Sequence, residues 1–366
     1  MEKLIVNNYG SFDVVLKKGK GSTLYATNGR RYIDFVSGIG VNCLGHNYKP
    51  LVKAISAQVK KQIHISNYYF SDTGLDFANK LLSLTGYEGA YLGNSGAEAN
   101  EAAIKLARKY GQLNGGSNRK PIVTLESSFH GRTLATLTAT GQAKFHPECF
   151  EPYPSGFKTI KANDFGCLDS AFDDTTAALF IECVQGEGGV NILDKEWVQA
   201  AAAAARKVGA IVMVDEVQTG IGRTGTLLAS STFDIDAEVV TLAKGIAGGV
   251  PMGVCLFKGK ANKVFVAGDH QSTFAGNPLP MYPMERAFLA TALVHRPSAV
   301  PVQGEPQKRG LPPAMRSKGR GEAKQQRYGP PFHASAKNFP LSDKPPWKFL
   351  TKDSRHTLPR CPKDRS

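Results

Sequence analysis

The chain has 366 residues, 42% apolar and 21% charged, a composition that suits a soluble globular protein with a large buried core. Its net charge of +14 is unevenly held: residues 301–366 carry 15 Lys+Arg against 5 Asp+Glu, together with 11 of the 21 prolines. The body is therefore close to neutral, which argues against a nucleic-acid-binding body and confines the basicity to the tail. Six cysteines, at 43, 149, 167, 183, 255 and 361, form no C-x-x-C pair, and the eight histidines have no metal-ligand spacing. Both patterns speak against a disulfide framework or a zinc site.

In chain order, "MEKLIVNNYG" offers no apolar stretch long enough for a signal peptide. Residues 1–60 include "STLYATNGRRYIDFVSGIGV", which reads as a hairpin turning on Asn28-Gly29, followed by an irregular Gly-rich passage. From about residue 90 to 257, strand-like and helix-like segments alternate. "GAYLGNSGAEANEAAIKLARKYG" gives a short strand, a glycine break and an Ala-rich helix, with Ser95 and Glu98 spaced as a capping box. "PIVTLESSF", "AALFIECV", "AIVMVDEV" and "EVVTLAK" read as buried strands, and "KEWVQAAAAAARKVG" as a helix ending at Gly209. The longest apolar run is interrupted by Arg206 and Lys207 and cannot span a bilayer, so a cytoplasmic protein is expected. Alternation of this kind predicts an α/β fold with a mostly parallel sheet, and ligands beyond the carboxyl ends of its strands.

Three of those ends carry polar groups. "LFIEC" runs into Glu182, Gln185 and Glu187, "AIVMVDEVQTG" into Asp215 and Gln218, and "EVVTLAK" into Lys244. Lys244 alone could be a solvated loop lysine, a phosphate ligand or an amine that adds to an aldehyde. "GIGRTG" (220–225) matches the dinucleotide fingerprint literally, but it neither follows its strand directly nor precedes a strand ending in an acid. The small-residue loop opening the helix at Ser95 can present free N–H groups to a phosphate. Phosphate site, buried acid and lysine together meet the needs of pyridoxal phosphate, whose ring nitrogen must stay protonated. Lys244 is expected to sit among glycines so that backbone and cofactor can approach closely.

Six ordered motifs carry a family resemblance: "GNSGAEANEAAIKLARKYG", "SSFHGRT", "VQGEGGV", "VDEVQTGIGRTG", "LAKGIAGGVPMG" and "HQSTFAGNP". Over about residues 7–279 the chain resembles the class III pyridoxal-phosphate-dependent aminotransferases, and "GGVPMG" and "FHGRT" are similar to the acetylornithine branch. The resemblance implies the fold-type I transferase architecture, like that of aspartate aminotransferase. It implies that residues 1–60 form an N-terminal segment and residues 61–279 a large cofactor-binding domain. It further implies a donor such as N-acetylornithine, with 2-oxoglutarate as acceptor, in arginine biosynthesis. Ornithine, succinylornithine and 4-aminobutyrate are the sibling donors.

By the same resemblance, Lys244 would hold the cofactor covalently and move the proton, and Asp215 would hold the ring nitrogen. Gln218 would meet the phenolic oxygen and Phe129 the ring face. Ser95, Gly96 and Ala97 would receive the phosphate, with Thr273 reaching that of a neighbouring subunit in a homodimer with shared active sites. Arg132 would grip a substrate carboxylate, Ser272 would touch the substrate, and Glu187 would mask a second arginine of the C-terminal domain. After "STFAGNP" the family pattern is lost. Residues 280–296 are read as a remnant helix, and residues 297–366 as a basic, Pro-rich tail without a packed fold, the product of a changed reading frame within residues 280–300. That loss leaves an inactive remnant as the competing reading, with non-specific nucleic-acid binding by the tail as another. Cys183 stands where many relatives have proline.

Overall fold

The computed structural model describes residue 6 and residues 8–283. The expectations for residues 297–366, and for all but the first few of 280–296, lie outside the described residues.

Near the N-terminus, β1 (Leu16–Lys20), β2 (Thr23–Ala26) and β3 (Arg31–Ile33) form an antiparallel sheet. The β2–β3 turn is the one expected from Asn28-Gly29, with Gly29 in the left-handed region at φ +83°. A one-turn element, α1 (Ser37–Gly40), follows, and then α2 (Lys49–Lys61), with Pro50 in its first turn, and α3 (Asp72–Thr85). Helix α3 is capped by Ser71, whose hydroxyl accepts from the Gly74 N–H at 2.9 Å, and it ends on left-handed Gly86.

The body is a seven-stranded sheet. In chain order it takes β4 (Gly89–Gly93), then α4 (Gly96–Gly115), β5 (Ile122–Leu125), α5 (Leu134–Ala139), β6 (Phe157–Ile160), α6 (Leu168–Ala171) and β7 (Ala178–Ile181). A small ribbon of β8 (Val184–Gln185) and β9 (Asn191–Ile192) stands outside the sheet. The remaining elements are α7 (Lys195–Lys207), β10 (Ile211–Asp215), β11 (Val239–Leu242), β12 (Gly253–Phe257) and α8 (Pro278–Pro283). The strand order is β4-β12-β11-β10-β7-β5-β6. Pairing is parallel from β11 through β6, and β12 runs antiparallel to both its neighbours.

The mostly parallel sheet predicted from the alternation is present. Strands β6 and β12 are additions to it, and each has a physical reason for escaping the sequence reading. "FKTI" is an edge strand with exposed residues in its middle, so it lacks the apolar run of a central strand. "GVCLF" follows a glycine-rich turn and returns antiparallel, so it is not preceded by a helix.

Successive residues of the central strands point to opposite faces, and each face has its own apolar cluster. On one face Val123, Leu179, Ile181, Val212, Val214 and Val240 pack with Phe77 and Leu81 of α3 and with Trp197 and Ala201 of α7. On the other, Ile122, Phe180, Ile211, Met213 and Val239 pack with Ile104, Leu106, Ala107 and Tyr110 of α4. Each such fully buried aliphatic side chain contributes roughly 1.5–3 kcal/mol. Two covered faces bury the central strands β5, β7, β10 and β11 along their whole length, so polar groups are placed at their ends. Among the described residues no helix is long and apolar enough to cross a membrane.

The carboxyl ends of β4, β5, β7, β10 and β11 lie on one edge, with the start of β12 among them. That start touches the opening of α4 so closely that a Cβ on Gly253 would lie 2.0 Å from the Ser95 carbonyl oxygen. Since backbone cannot yield as a side-chain tip can, Gly253→Ala is expected to cost about 1–3 kcal/mol. The check is a lowered urea midpoint at unchanged slope; a midpoint equal to that of the parent would show that this contact is free to open.

Candidate active site

A cavity of about 450 Å³ opens along this edge, lined among others by Ser95, Gly96, Ala97, Phe129, Arg132, Glu187, Asp215, Gln218 and Lys244. Nine residues expected from the motifs are thus brought together from five segments of the chain. Ser272 and Thr273 are not among them. They line a separate depression with Ser66, Asn67, Tyr68 and Gln271. Within the chain the Ser272 hydroxyl does not face the cavity: it donates to Glu98 Oε1 at 2.9 Å and accepts from Asn94 Nδ2 at 3.0 Å.

At the centre stands Asp215, buried at the end of the fully buried strand β10. Its Oδ2 accepts from Asn100 Nδ2 at 2.7 Å and lies 2.8 Å from His130 Nδ1, while Oδ1 accepts from the Val217 N–H at 2.9 Å. A carboxylate with polar partners on both oxygens is held in one orientation. For His130 to donate, a proton must sit on Nδ1; among the described residues its buried Nε2 has no hydrogen-bond partner. The ring is fixed further by stacking on Phe180, 4.2 Å between centroids.

Asn100 and His130 escaped the sequence reading. Asn100 did carry a signal, as an amide on the buried face of a helix where it is a poor helix former. Its Nδ2 also donates to the His130 carbonyl at 2.6 Å, so one amide joins helix, loop and strand end.

Lys244 follows β11 by two residues and adopts φ +46°, a left-handed conformation costly for a lysine. This amends the expectation for the glycines around it. Gly248 and Gly249 have φ +59° and +120°, which the turn back to β12 requires, and the space beside them is taken by Leu51 and Asn42. Among the described residues the Lys244 amine makes no hydrogen bond or ion pair. Burial pulls its pKa below the ordinary lysine value, against the opposing pull of Asp215, Glu182 and Glu187. A partly desolvated amine without a partner is a nucleophile in waiting.

Glu182 directly follows β7, and its Oε1 accepts the Phe129 N–H at 2.8 Å. Burial first, and Asp215 second, push its carboxyl well above the usual carboxylate range. Gln185 is different: its amide donates to the Glu126 carbonyl at 2.7 Å and holds the β8 ribbon. Gln218 reaches the cavity across Gly186, where a Cβ would lie 1.5 Å from its amide oxygen.

At the other end of the cavity α4 begins. Its first-turn N–H groups, at Gly96 and Ala97, have no acceptor within the helix. Ser95 caps it by accepting the Glu98 N–H at 3.1 Å. The reciprocal half of the expected capping box is displaced by one residue, because Glu98 Oε2 accepts the Asn94 N–H at 2.5 Å. Gly96 can carry no side chain, since a Cβ there would lie 2.6 Å from Val217 Cγ1.

The donor set fits a phosphorylated pyridine aldehyde. N–H groups at a helix start suit a phosphate, a fixed buried carboxylate suits a protonated ring nitrogen, and an unpartnered amine suits the aldehyde. "GIGRTG", by contrast, forms turns at residues 220–225, with Gly222 and Gly225 in the left-handed region, and opens no helix.

The comparisons with known proteins agree. The family model "Aminotransferase class-III" matches residues 5–291. Acetylornithine aminotransferase from Aquifex aeolicus is 45% identical over 276 residues, which is 75% of this chain and 73% of that protein. The acetylornithine aminotransferase of Clostridium acetobutylicum is 42% identical over 275 residues, 75% of this chain and 71% of that one. Among solved structures, ornithine aminotransferase from Toxoplasma gondii superposes with a TM-score of 0.75 at 30% identity, covering 80% of this chain and 69% of that one. N-acetylornithine aminotransferase from Stenotrophomonas maltophilia gives 0.65 at 33% identity, over 78% and 70% of the two chains. With family match, fold and cavity in agreement, the chain belongs to the class III aminotransferases, and its cofactor is pyridoxal 5'-phosphate.

Proposed function

We propose that the chain transfers the δ-amino group of N2-acetyl-L-ornithine to 2-oxoglutarate, giving N-acetylglutamate 5-semialdehyde and glutamate. The reading places it in arginine biosynthesis, in the cytoplasm, as a homodimer with shared active sites. The observation that carries the transaminase chemistry is the unpartnered amine of Lys244 in one cavity with the fixed Asp215 and the opening of α4. The choice of donor rests on the names of the relatives that match at 42–45% identity.

Bound cofactor supplies an electron sink for the amino-bearing carbon. Lys244 would hold the cofactor aldehyde and, as a free amine, would move the proton between the substrate carbon and the cofactor carbon as general base and acid. Asp215 keeps the ring nitrogen protonated, and His130 and Asn100 keep Asp215 in place. Gly96 and Ala97 N–H groups, with the Ser95 hydroxyl, hold the phosphate. Phe129 and Gln218, which line the cavity, would meet the cofactor's ring face and phenolic oxygen respectively. Arg132 receives a substrate carboxylate as a two-pronged fork. Glu187, exposed at the rim, offers a negative charge to a second cation.

Ser272 and Thr273 act from outside the cavity of their own chain, Thr273 on the phosphate of the neighbouring subunit. In support of a dimer, Phe274 beside them is 62% exposed, and Tyr68, Tyr69 and Phe70 are 72–89% exposed, an apolar surface of the kind that a second subunit covers. A sibling reading with ornithine or another ω-amine as donor is favoured by the solved ornithine aminotransferases of the same fold. Rates measured with acetylornithine, ornithine, succinylornithine and 4-aminobutyrate against 2-oxoglutarate decide the donor. Acetylornithine is expected to give the largest kcat/KM, and absence of turnover with all four would overturn the reading.

Lys244→Ala is expected to abolish transamination, and borohydride reduction should then fix no cofactor at residue 244 while the fold is kept. Cofactor fixed at a single other lysine, seen by mass spectrometry, would show that another amine holds it. Asp215→Asn should lower turnover by roughly two orders of magnitude or more, since a neutral amide cannot hold the ring nitrogen protonated. The same variant tests the titration of Lys244. Burial lowers the amine's pKa and the Asp215 carboxylate raises it. Capture of an aldehyde by Lys244 should therefore rise with pH to a midpoint below the ordinary lysine value, and Asp215→Asn should move that midpoint further down. A midpoint unmoved or raised in the variant would contradict this electrostatic account.

A further inference from the structure

The cavity holds a second cation, Arg132, and the manner of its support sets it apart. Among the described residues the guanidinium has no hydrogen bond and no ion pair. Its Cζ lies instead 3.8 Å from the ring centroid of Phe145 and 5.7 Å from that of Phe129. The two rings meet edge to face, with centroids 5.9 Å apart at 77°. At 3.8 Å a planar cation and a ring are in face contact. Such a stack engages the flat side of the guanidinium and leaves its N–H fork free in its own plane.

The backbone of Arg132 is fixed by Gly131 on one side and on the other by the Thr133–Thr136 capping box of α5. Its long side chain is not fixed by any polar contact, so the stack is what selects one arrangement of the fork. Phe145 is itself anchored to the loop that carries Phe129. The Gly141 N–H donates to the Ser128 hydroxyl at 3.0 Å, the Ser127 N–H to the Gly141 carbonyl at 3.0 Å, and Gln142 Nε2 to the Ser128 carbonyl at 3.2 Å. That approach needs a glycine at 141, where a Cβ would lie 2.0 Å from the Leu125 carbonyl. Lys144 Nζ lies 4.7 Å from the same ring, so two cations share it, and neither has an acidic partner among the described residues.

We propose that Phe145 is a positioning residue for the substrate carboxylate: it holds the Arg132 guanidinium flat against its own ring, to which Phe129 stands edge to face, so that the unpaired fork meets the carboxylate in register. Lys144 adds positive potential that makes an anionic guest the favoured one. The inference rests on the reading of the chain as a transaminase with Arg132 as the carboxylate grip. It goes beyond that reading by naming what orients the grip.

The test uses the full-length protein loaded with pyridoxal phosphate. Phe145→Leu and Phe145→Met keep the apolar volume but remove the ring face, and Phe145→Tyr restores it. Loss of one such stack corresponds to a weakening of roughly 3- to 30-fold. Expected are KM for acetylornithine and 2-oxoglutarate, and the inhibition constant of glutarate, all raised within that range in the Leu and Met variants. Their kcat should stay within about 2-fold of the parent, as expected when binding in ground and transition states is lost equally. KM for 1,4-diaminobutane, which has no carboxylate, should not move, and the Tyr variant should match the parent. A parent without turnover would sink both this inference and the reading beneath it. A parent whose glutarate constant rises in Arg132→Lys but not in the Leu and Met variants would overturn the inference alone. So would a rise in KM for the diamine equal to that for the carboxylate substrates.

Discussion

A buried carboxylate that cannot turn is the constraint on which this site depends. Asp215 ends a strand buried on both faces, so its position is set by the sheet, and its orientation is set by an amide from α4, an imidazole from the β5 loop and a backbone N–H. Leaving such a group unpaired costs several kcal/mol, so the three donors and the acid stand or fall together. Helix, loop and strand are thereby tied at one carboxylate. Everything further out, from the helix start to the lysine, takes its distance from that point.

The chemistry-bearing strand ends were legible because parallel sheets reveal themselves by apolar runs that stop abruptly at polar groups. Asp215 after "IVMV" and Lys244 after "VVTLA" are such stops, and the structure puts both at one cavity. What stayed hidden was whatever depends on partners far apart in sequence. His130 is separated by 85 positions from the acid it supports, and nothing local in "SSFHGRT" distinguishes it from a core histidine. The antiparallel β12 was hidden because its five residues give no signal of direction. Ser272 was named from its motif, and the partners of its hydroxyl within the chain, Glu98 and Asn94, lie 174 or more positions away.

The strain at Lys244 belongs to the same economy of position. A lysine in the left-handed region is held there by buried β11 before it and by the turn through Gly248 and Gly249 after it. Its side chain is thus launched from the sheet edge at a fixed angle by backbone alone, with no hydrogen bond to guide the amine. A hydrogen bond to the amine would be lost whenever the side chain moves, whereas a conformational constraint on the backbone persists throughout. Arg132 is handled on the same plan: its flat face is stacked and its donors are left open.

Glu98 joins two places that would otherwise be separate. Its carboxylate accepts from the Asn94 N–H, the Asn94 amide and the Ser272 hydroxyl, while its own N–H is taken by the Ser95 cap. The opening turn of α4 and the segment bearing Ser272 and Thr273 therefore behave as a single rigid part with one pivot. A redesign that widens the helix opening for a bulkier anion cannot leave that segment where it stands. The two would have to be re-cut as one piece, and an insertion in either would be felt in the other as a change of angle.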